Sequence, residues 1–144
     1  MPPPSRCRNG SDVLSLKPAT ERRLLQLAVA VAGLVPVTAG LDGALRGARF
    51  LDVAADLPAD SHVRYLSGLL LGIGLAFWAS IPHIERHAAR FRLLAVIVVI
   101  GGLARLLALT GAGAPDRVML FALIMELAVT PALCLWQQRV ARIA

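Results

Sequence analysis

Four long runs of apolar residues, separated by short polar segments, constrain this 144-residue chain more than any other feature. Each run covers roughly 17–20 residues, the length that an α-helix needs to cross the ~30 Å hydrocarbon core of a bilayer. A soluble amphipathic helix would instead intersperse apolar and polar residues at helical spacing. Because 57% of the residues are hydrophobic and only 17% are charged, a soluble domain of this size could not bury them all. The runs therefore predict an integral membrane protein.

The runs and the polar segments between them predict an all-α fold, an antiparallel four-helix bundle spanning the membrane. Residues 1–20 are rich in proline and polar residues and are expected to form a disordered tail, which leaves residues 21–140 as the transmembrane domain. Pro36 and Pro131 predict kinks, because proline removes a backbone donor and clashes with the preceding turn. Segment 44–57 is expected to form a short helix at the membrane surface. The predicted transmembrane helices lie at about 22–41, 62–81, 93–110 and 117–137.

The distribution of lysine and arginine predicts the orientation of these helices. The N-terminal segment through Arg23, the 83–92 loop and the C-terminal end from Arg139 together carry ten basic residues, whereas the other two loops carry only Arg46, Arg49 and Arg117. Cytoplasmic loops are enriched in lysine and arginine, so both termini are expected in the cytoplasm and the chain in the cell inner membrane. Alternatively, the first run is a signal peptide cleaved after small residues near Val37–Ala39, which would leave three spans.

Three charged residues stand out among those inside the predicted helices, namely Arg64, Arg105 and Glu126. A charge at membrane depth costs at least ~2.5 kcal/mol on insertion scales, so such residues are expected to face the protein interior and to have partners. The short turn at 111–115 makes the third and fourth helices antiparallel neighbours. At 1.5 Å per residue, Arg105 then lies close enough in depth to Glu126 for an ion pair.

Two interpretations of these charges stay open. In the first, they form an outward-facing polar pocket together with His62, Tyr65 and Ser67. Two arginines and one glutamate leave one positive charge unpaired, which favours a small anionic or lipid-like ligand. In the second, a buried ion pair only holds the helices in register and contacts no ligand.

The second predicted helix also carries a row of small residues at four-residue spacing. Such a row lets two helices approach each other closely. The partner could be another helix of this chain, a second copy in a homo-oligomer, or a different membrane protein. The row consists of Gly68, Gly72, Ala76 and Ser80.

Other classes of function lack their characteristic residues. The sequence does not favour an enzyme, because it has no nucleophile–base pair, metal cluster or nucleotide-binding loop, and no cofactor is expected. His83 and His87 have a spacing that can hold a metal, but they lack an obvious third ligand. The net charge of +6 does not indicate nucleic-acid binding, because the basic residues flank the apolar runs and no recognition motif accompanies them. Cys7 and Cys134 are not expected to form a disulfide.

Three motifs and the surrounding runs closely resemble an uncharacterised bacterial family of four-helix membrane proteins, domain of unknown function 4345. The motifs are H-x-R-Y-L-S-G at His62–Gly68, G-G-x-x-R at Gly101–Arg105 and M-E-x-x-x-T-P at Met125–Pro131. The resemblance extends over about Glu21–Arg139. It implies that the first helix is not cleaved, and it implies no particular activity.

Overall fold

The structure, a computed structural model, describes residues 18–51, 56–112 and 116–143. Within these ranges the regular elements are all helical, which confirms the prediction of an all-α chain with four helices. The fourth helix runs from Arg117 to Ile143 and contains one π-helical segment. The elements are α1 (Pro18–Arg46), a 3₁₀ helix (Gly47–Leu51), α2 (Leu57–Trp78), α3 (Ala88–Ala112), α4 (Arg117–Ile124), the π-helix (Met125–Val129) and α5 (Thr130–Ile143).

Capping side chains set the starts of α2 and α4. The start of α2 differs from the prediction, whereas the start of α4 at Arg117 agrees with it. Asp56 accepts a hydrogen bond from the N–H of Ala59 at 3.1 Å, so α2 begins five residues before the apolar run. Asp116 caps α4 in the same way, through the N–H of Met119 at 2.6 Å. At its other end α2 stops at Trp78 rather than at residue 81.

The first helix and its surroundings also differ from the prediction. α1 takes in residues 18–20 of the expected tail and extends past residue 41 to Arg46, with Pro36 inside the helix. Residues 1–17 of that tail lie outside the described residues. The surface helix expected at 44–57 is a single 3₁₀ segment, Gly47–Leu51, and residues 52–55 of it are likewise outside the described ranges.

α1 and α2 pack as a close antiparallel pair through glycines on α1. A Cβ added to Gly40 would lie 2.5 Å from the backbone nitrogen of Leu71 and 2.8 Å from the carbonyl oxygen of Ser67. Gly33 and Gly43 lie on the same side of α1, against Trp78 and the Ser67 side chain respectively. The backbones of the two helices therefore approach as closely as glycine allows.

The small-residue row predicted on α2 does not make this contact. A Cβ added to Gly68 or Gly72 would meet no described atom within 4 Å. Ser80 lies beyond the end of α2, in a turn, and donates a hydrogen bond to the carbonyl of Ala76 at 2.9 Å. Gly68 and Gly72 thus do not form the face that packs on α1, because α2 turns Leu71 and Gly74 toward α1 instead. Packing of the row against a second chain stays a prediction.

The buried core lies at one end of the molecule, where α1 begins and α5 ends. Hydrogen bonds from side-chain amides connect the segments at this end. Gln137 donates to the carbonyl of Ile84 at 2.7 Å, and Gln26 donates to the carbonyl of Ile81 at 2.8 Å. Arg139 pairs with Glu21 at 3.1 Å. The core cluster consists of Leu25, Val29, Ile84, Phe91, Ala95, Cys134 and Val140.

Three helical segments are long and apolar enough to cross a membrane, namely Ala19–Leu51, Ala88–Leu109 and Arg117–Ile143. Most of their large apolar side chains are exposed on the protein surface, as expected where lipid rather than water is the solvent. α2 is not among the three, and its first half holds Asp60, His62 and Arg64. These features indicate a membrane protein.

Candidate functional site

Arg105 of α3 and Glu126 of the π-helix form a bidentate ion pair. The similar depths of the two residues along their helices predicted this pair. The Arg105 Nε and Nη2 atoms donate to the two carboxylate oxygens of Glu126, each at 3.1 Å. The Glu126 side chain is 18% exposed and that of Arg105 is 42% exposed. Because a guanidinium fork matches a carboxylate in two parallel hydrogen bonds, this contact is oriented as well as charged.

A glycine on α3 brings the two residues together. A Cβ added to Gly102 would lie 2.9 Å from the Glu126 Cβ and 2.8 Å from a methyl group of Leu127. α3 therefore lies against the π-helix at Gly102, and Arg105 projects from the next turn of α3 toward the carboxylate. In the Gly101–Arg105 motif, Gly102 permits the close approach and Arg105 makes the bond.

The π-helix follows from Pro131. Proline has no N–H to donate, and its ring collides with the carbonyl of the residue four positions earlier, so a regular α-helix cannot pass through it unstrained. Here the N–H of Thr130 bonds to the carbonyl of Met125, one residue further back than in an α-helix, and the Thr130 hydroxyl donates to the same carbonyl at 2.8 Å. π-segments of this kind occur frequently at functional sites, and this one carries Glu126.

A cleft of about 530 Å³ lies between the α1–α2 pair and the α3–α5 pair. Its lining extends from Val29 and Phe91, which belong to the core cluster, to Arg105 and Glu126. From Phe91 to Arg105 the axis of α3 rises about 21 Å at 1.5 Å per residue. Apart from Arg105, Glu126 and Thr130, the lining side chains are apolar or glycine.

Arg64 does not lie with this pair. Its Nε atom pairs with Asp60 at 2.7 Å, and its Nη1 atom donates to the carbonyls of Ala44 and Leu45 at 2.9 and 2.7 Å. Arg64 thus satisfies the free carbonyls at the end of α1. The Arg64 guanidinium and the Ala48 N–H, which also bonds to Asp60, hold the pKa of that carboxyl below its ordinary value.

Gly47 makes this second cluster sterically feasible. It ends α1 with a positive φ of 60°, a left-handed conformation that glycine adopts without strain. A side chain there would collide with the Asp60 carboxylate and would approach Arg64. The cluster of Asp60, Arg64 and Gly47 therefore joins the end of α1 to the start of α2.

The remaining residues of the predicted pocket are distributed away from the Arg105–Glu126 pair. Ser67 packs against Gly43 at the contact between α1 and α2. His62 and Tyr65 are exposed, Tyr65 to 64%. None of these three, nor Arg64, lines the cleft.

The described ranges also contain no cluster of side chains that could bind a metal ion. No group of three or more His, Cys, Asp or Glu residues in them is placed to hold a metal ion, and this includes His83 and His87. Cys134 is buried with a free thiol in the core cluster. Cys7 lies outside the described residues.

Sequence reasoning missed two features of this site, the cleft and the glycines on α1. The spacing of Gly33, Gly40, Gly43 and Gly47, at intervals of three, four and seven residues, places them on one helix face. That spacing was a usable signal for the α1–α2 contact. The cleft has no sequence signal, because its apolar lining does not differ in type from residues that face lipid.

The comparison with protein families agrees with the three sequence motifs. The family model described as Domain of unknown function (DUF4345) matches residues 24–137, well over half of the chain. No curated protein and no solved structure matches the chain. By this match, the protein belongs to the DUF4345 family.

Proposed function

We propose that the protein is a multi-pass protein of the cell inner membrane that binds a lipid-like amphipathic molecule in the cleft. α2 is the fourth span, with its apolar half in the hydrocarbon and its polar first turns at the surface. Both termini are cytoplasmic, because ten basic residues flank that side of the helices and only three flank the other.

Reporter fusions test this topology. A reporter at Ala144 and one inserted at residue 54, which lies in sequence between the 3₁₀ helix and α2, are expected in opposite compartments. A third reporter at residue 84, between α2 and α3, should match the one at Ala144 and serves as the control for α2. If the reporters at 54 and 84 report one compartment, α2 does not cross the membrane.

The observation that supports a ligand is the combination of a long apolar cleft with one oriented polar pair. Binding sites for small molecules are mainly apolar concavities with a few placed polar groups, and 530 Å³ falls within their usual size range. The cleft's rise of about 21 Å exceeds half of a ~30 Å hydrocarbon core. Its size therefore suits the tail of an amphiphile.

The charge of the site favours an uncharged or zwitterionic headgroup. Arg105 and Glu126 neutralise each other, and Arg64, which would have supplied the surplus positive charge, bonds to Asp60 and to α1. The guanidinium retains N–H groups beyond the two that bind Glu126, and a carboxylate oxygen can accept more than one hydrogen bond. A hydroxyl group could use both without displacing the pair, and an ester carbonyl could accept from the guanidinium.

Filling the cleft tests the ligand proposal. Gly101 lines the cleft and a Cβ there meets no atom within 4 Å, so the side chain of Gly101→Phe should occupy part of the cleft. We expect the affinity for monoolein, an uncharged single-chain lipid, to fall about tenfold, since losing two buried methylenes has that effect. Native mass spectrometry of the purified protein measures the bound lipid.

Gly68→Phe is the matched control, since Gly68 is equally open but lies outside the cleft. Monoolein binding should be unchanged in this variant. Equal binding by both variants and the unmodified protein would contradict a ligand in the cleft.

A structural role for the ion pair is the second candidate. It is favoured by the bidentate geometry, in which both carboxylate oxygens of Glu126 already have a partner. In that case the pair only joins α3 to the π-helix, and filling the cleft would leave lipid binding unaltered.

A further inference from the structure

A second concavity, separate from the cleft, lies at the end of the molecule that holds the core cluster. It is a groove of about 300 Å³ between the first turns of α3 and the last turns of α5. Arg92 and Arg142 stand in its lining. The other lining residues are Ala88, Ala89, Gln138 and Ala141.

The two arginines of this groove have no acidic partner. In residues 18–51, 56–112 and 116–143, neither Arg92 nor Arg142 makes a hydrogen bond or an ion pair. The carboxylates at this end are engaged elsewhere, Glu85 with Arg22 at 3.3 Å and Glu21 with Arg139 at 3.1 Å. Both guanidinium groups are therefore free to bind an anion.

Three of the six residues that line the groove are alanines, which have short side chains. Ala88 and Ala89 form the start of α3, where the first N–H groups of a helix have no acceptor within the helix. These N–H groups and the helix dipole add to the attraction that the two arginines exert on an anion.

The groove also lies at the ends of two candidate membrane spans. Arg92 is close to the start of the candidate span Ala88–Leu109, and Arg142 is at the end of the candidate span Arg117–Ile143. Span ends lie at the level of the lipid headgroups, and basic pockets between helices on the cytoplasmic side of a membrane bind phosphate-bearing headgroups.

We propose that Arg92 and Arg142 form a phosphate-binding site in this groove, which receives either a lipid headgroup or a free phosphate ion. Guanidinium groups bind phosphate through paired N–H donors, and the N–H groups at the start of α3 supply further donors. This site does not depend on the ligand proposed for the cleft, because the two concavities share no lining residue.

The test compares two double variants of the full chain. Arg92→Gln with Arg142→Gln removes both groove arginines, and Arg86→Gln with Arg90→Gln removes the same charge beside the groove. Binding of phosphatidylglycerol, measured by native mass spectrometry, is expected to fall at least about tenfold in the groove variant, because two charged hydrogen-bonding groups are lost. In the control variant we expect it to change by less than about twofold.

Further ligands identify the group that is bound. Diacylglycerol lacks the phosphate, so its binding should not change when the two groove arginines are replaced. Competition by inorganic phosphate would identify a free ion as a second source, whereas binding of the lipid alone would restrict the site to headgroups. An equal loss in both double variants, or none in the groove variant, would overturn the proposal.

Folding of the variants is controlled separately. The groove arginines bond to no described side chain, so the melting temperature without lipid should be unchanged. If the groove variant fails to fold, Arg92→Lys with Arg142→Lys makes the same comparison, since lysine keeps the charge but lacks the forked donors. Full binding by that lysine variant would contradict recognition by the guanidinium geometry.

Discussion

Gly40→Val is expected to cost more than about 3 kcal/mol of folding stability, at the upper end of the effects of overpacking. The Cβ alone would lie 2.5 Å from the backbone nitrogen of Leu71 and 2.8 Å from the carbonyl of Ser67. Backbone atoms in a helix cannot rotate away as a flexible side chain can. α1 and α2 would therefore have to separate along their length, which also removes the contacts at Gly33 and Gly43.

The matched control is Gly72→Val, on the facing helix. A Cβ there meets nothing within 4 Å, so its cost should be near zero or slightly favourable, as valine has a better helix propensity than glycine. Thermal or chemical unfolding of the purified protein in detergent measures both. Similar stabilities for the two variants would contradict the α1–α2 packing, and a large loss for Gly72→Val alone would show that a second chain packs on that face.

Removing one member of the Arg105–Glu126 pair is expected to have the second largest effect. Breaking a fully buried pair costs ~3–5 kcal/mol, and partial exposure of Arg105 in the cleft reduces this to roughly 1–3 kcal/mol. Glu126→Leu leaves the guanidinium without an acceptor. Glu126→Gln should cost less than Glu126→Leu, because the amide oxygen still accepts a hydrogen bond from Arg105.

The double variant separates an ion pair from two independent contributions. Arg105→Leu with Glu126→Leu should be more stable than the sum of the two single changes implies, since it leaves no uncompensated charge. The same unfolding measurement applies to all four proteins of the cycle. Additive losses would show that the 3.1 Å contacts contribute no coupling. Equal losses for Glu126→Gln and Glu126→Leu would show that hydrogen-bonding capacity at this position is irrelevant.

Composition and distances along the chain were enough to predict the class of fold and one part of the site. Runs of 17–20 apolar residues cannot be buried in a small soluble domain, so helices suited to a membrane followed from composition and length. The Arg105–Glu126 pair also followed, because a short connection makes α3 and α4 antiparallel neighbours and the helical rise then sets the depth of each residue. Both arguments use only distance along the chain.

The rotation of each helix about its axis, and therefore the partner that each face contacts, depends on packing between helices and could not be predicted. In a soluble helix the apolar stripe identifies the buried face, but helices that are apolar all round carry no such marker. For that reason the row at Gly68 and Gly72 could not be distinguished from the glycines of α1 as the packing face. The partners of Arg64 depend on the same rotation, because α2 directs the Arg64 side chain to Asp60 and the end of α1 and not to Glu126. The cleft exists because the two helix pairs meet at the core end and leave a gap beyond it, a property of packing between segments distant in sequence.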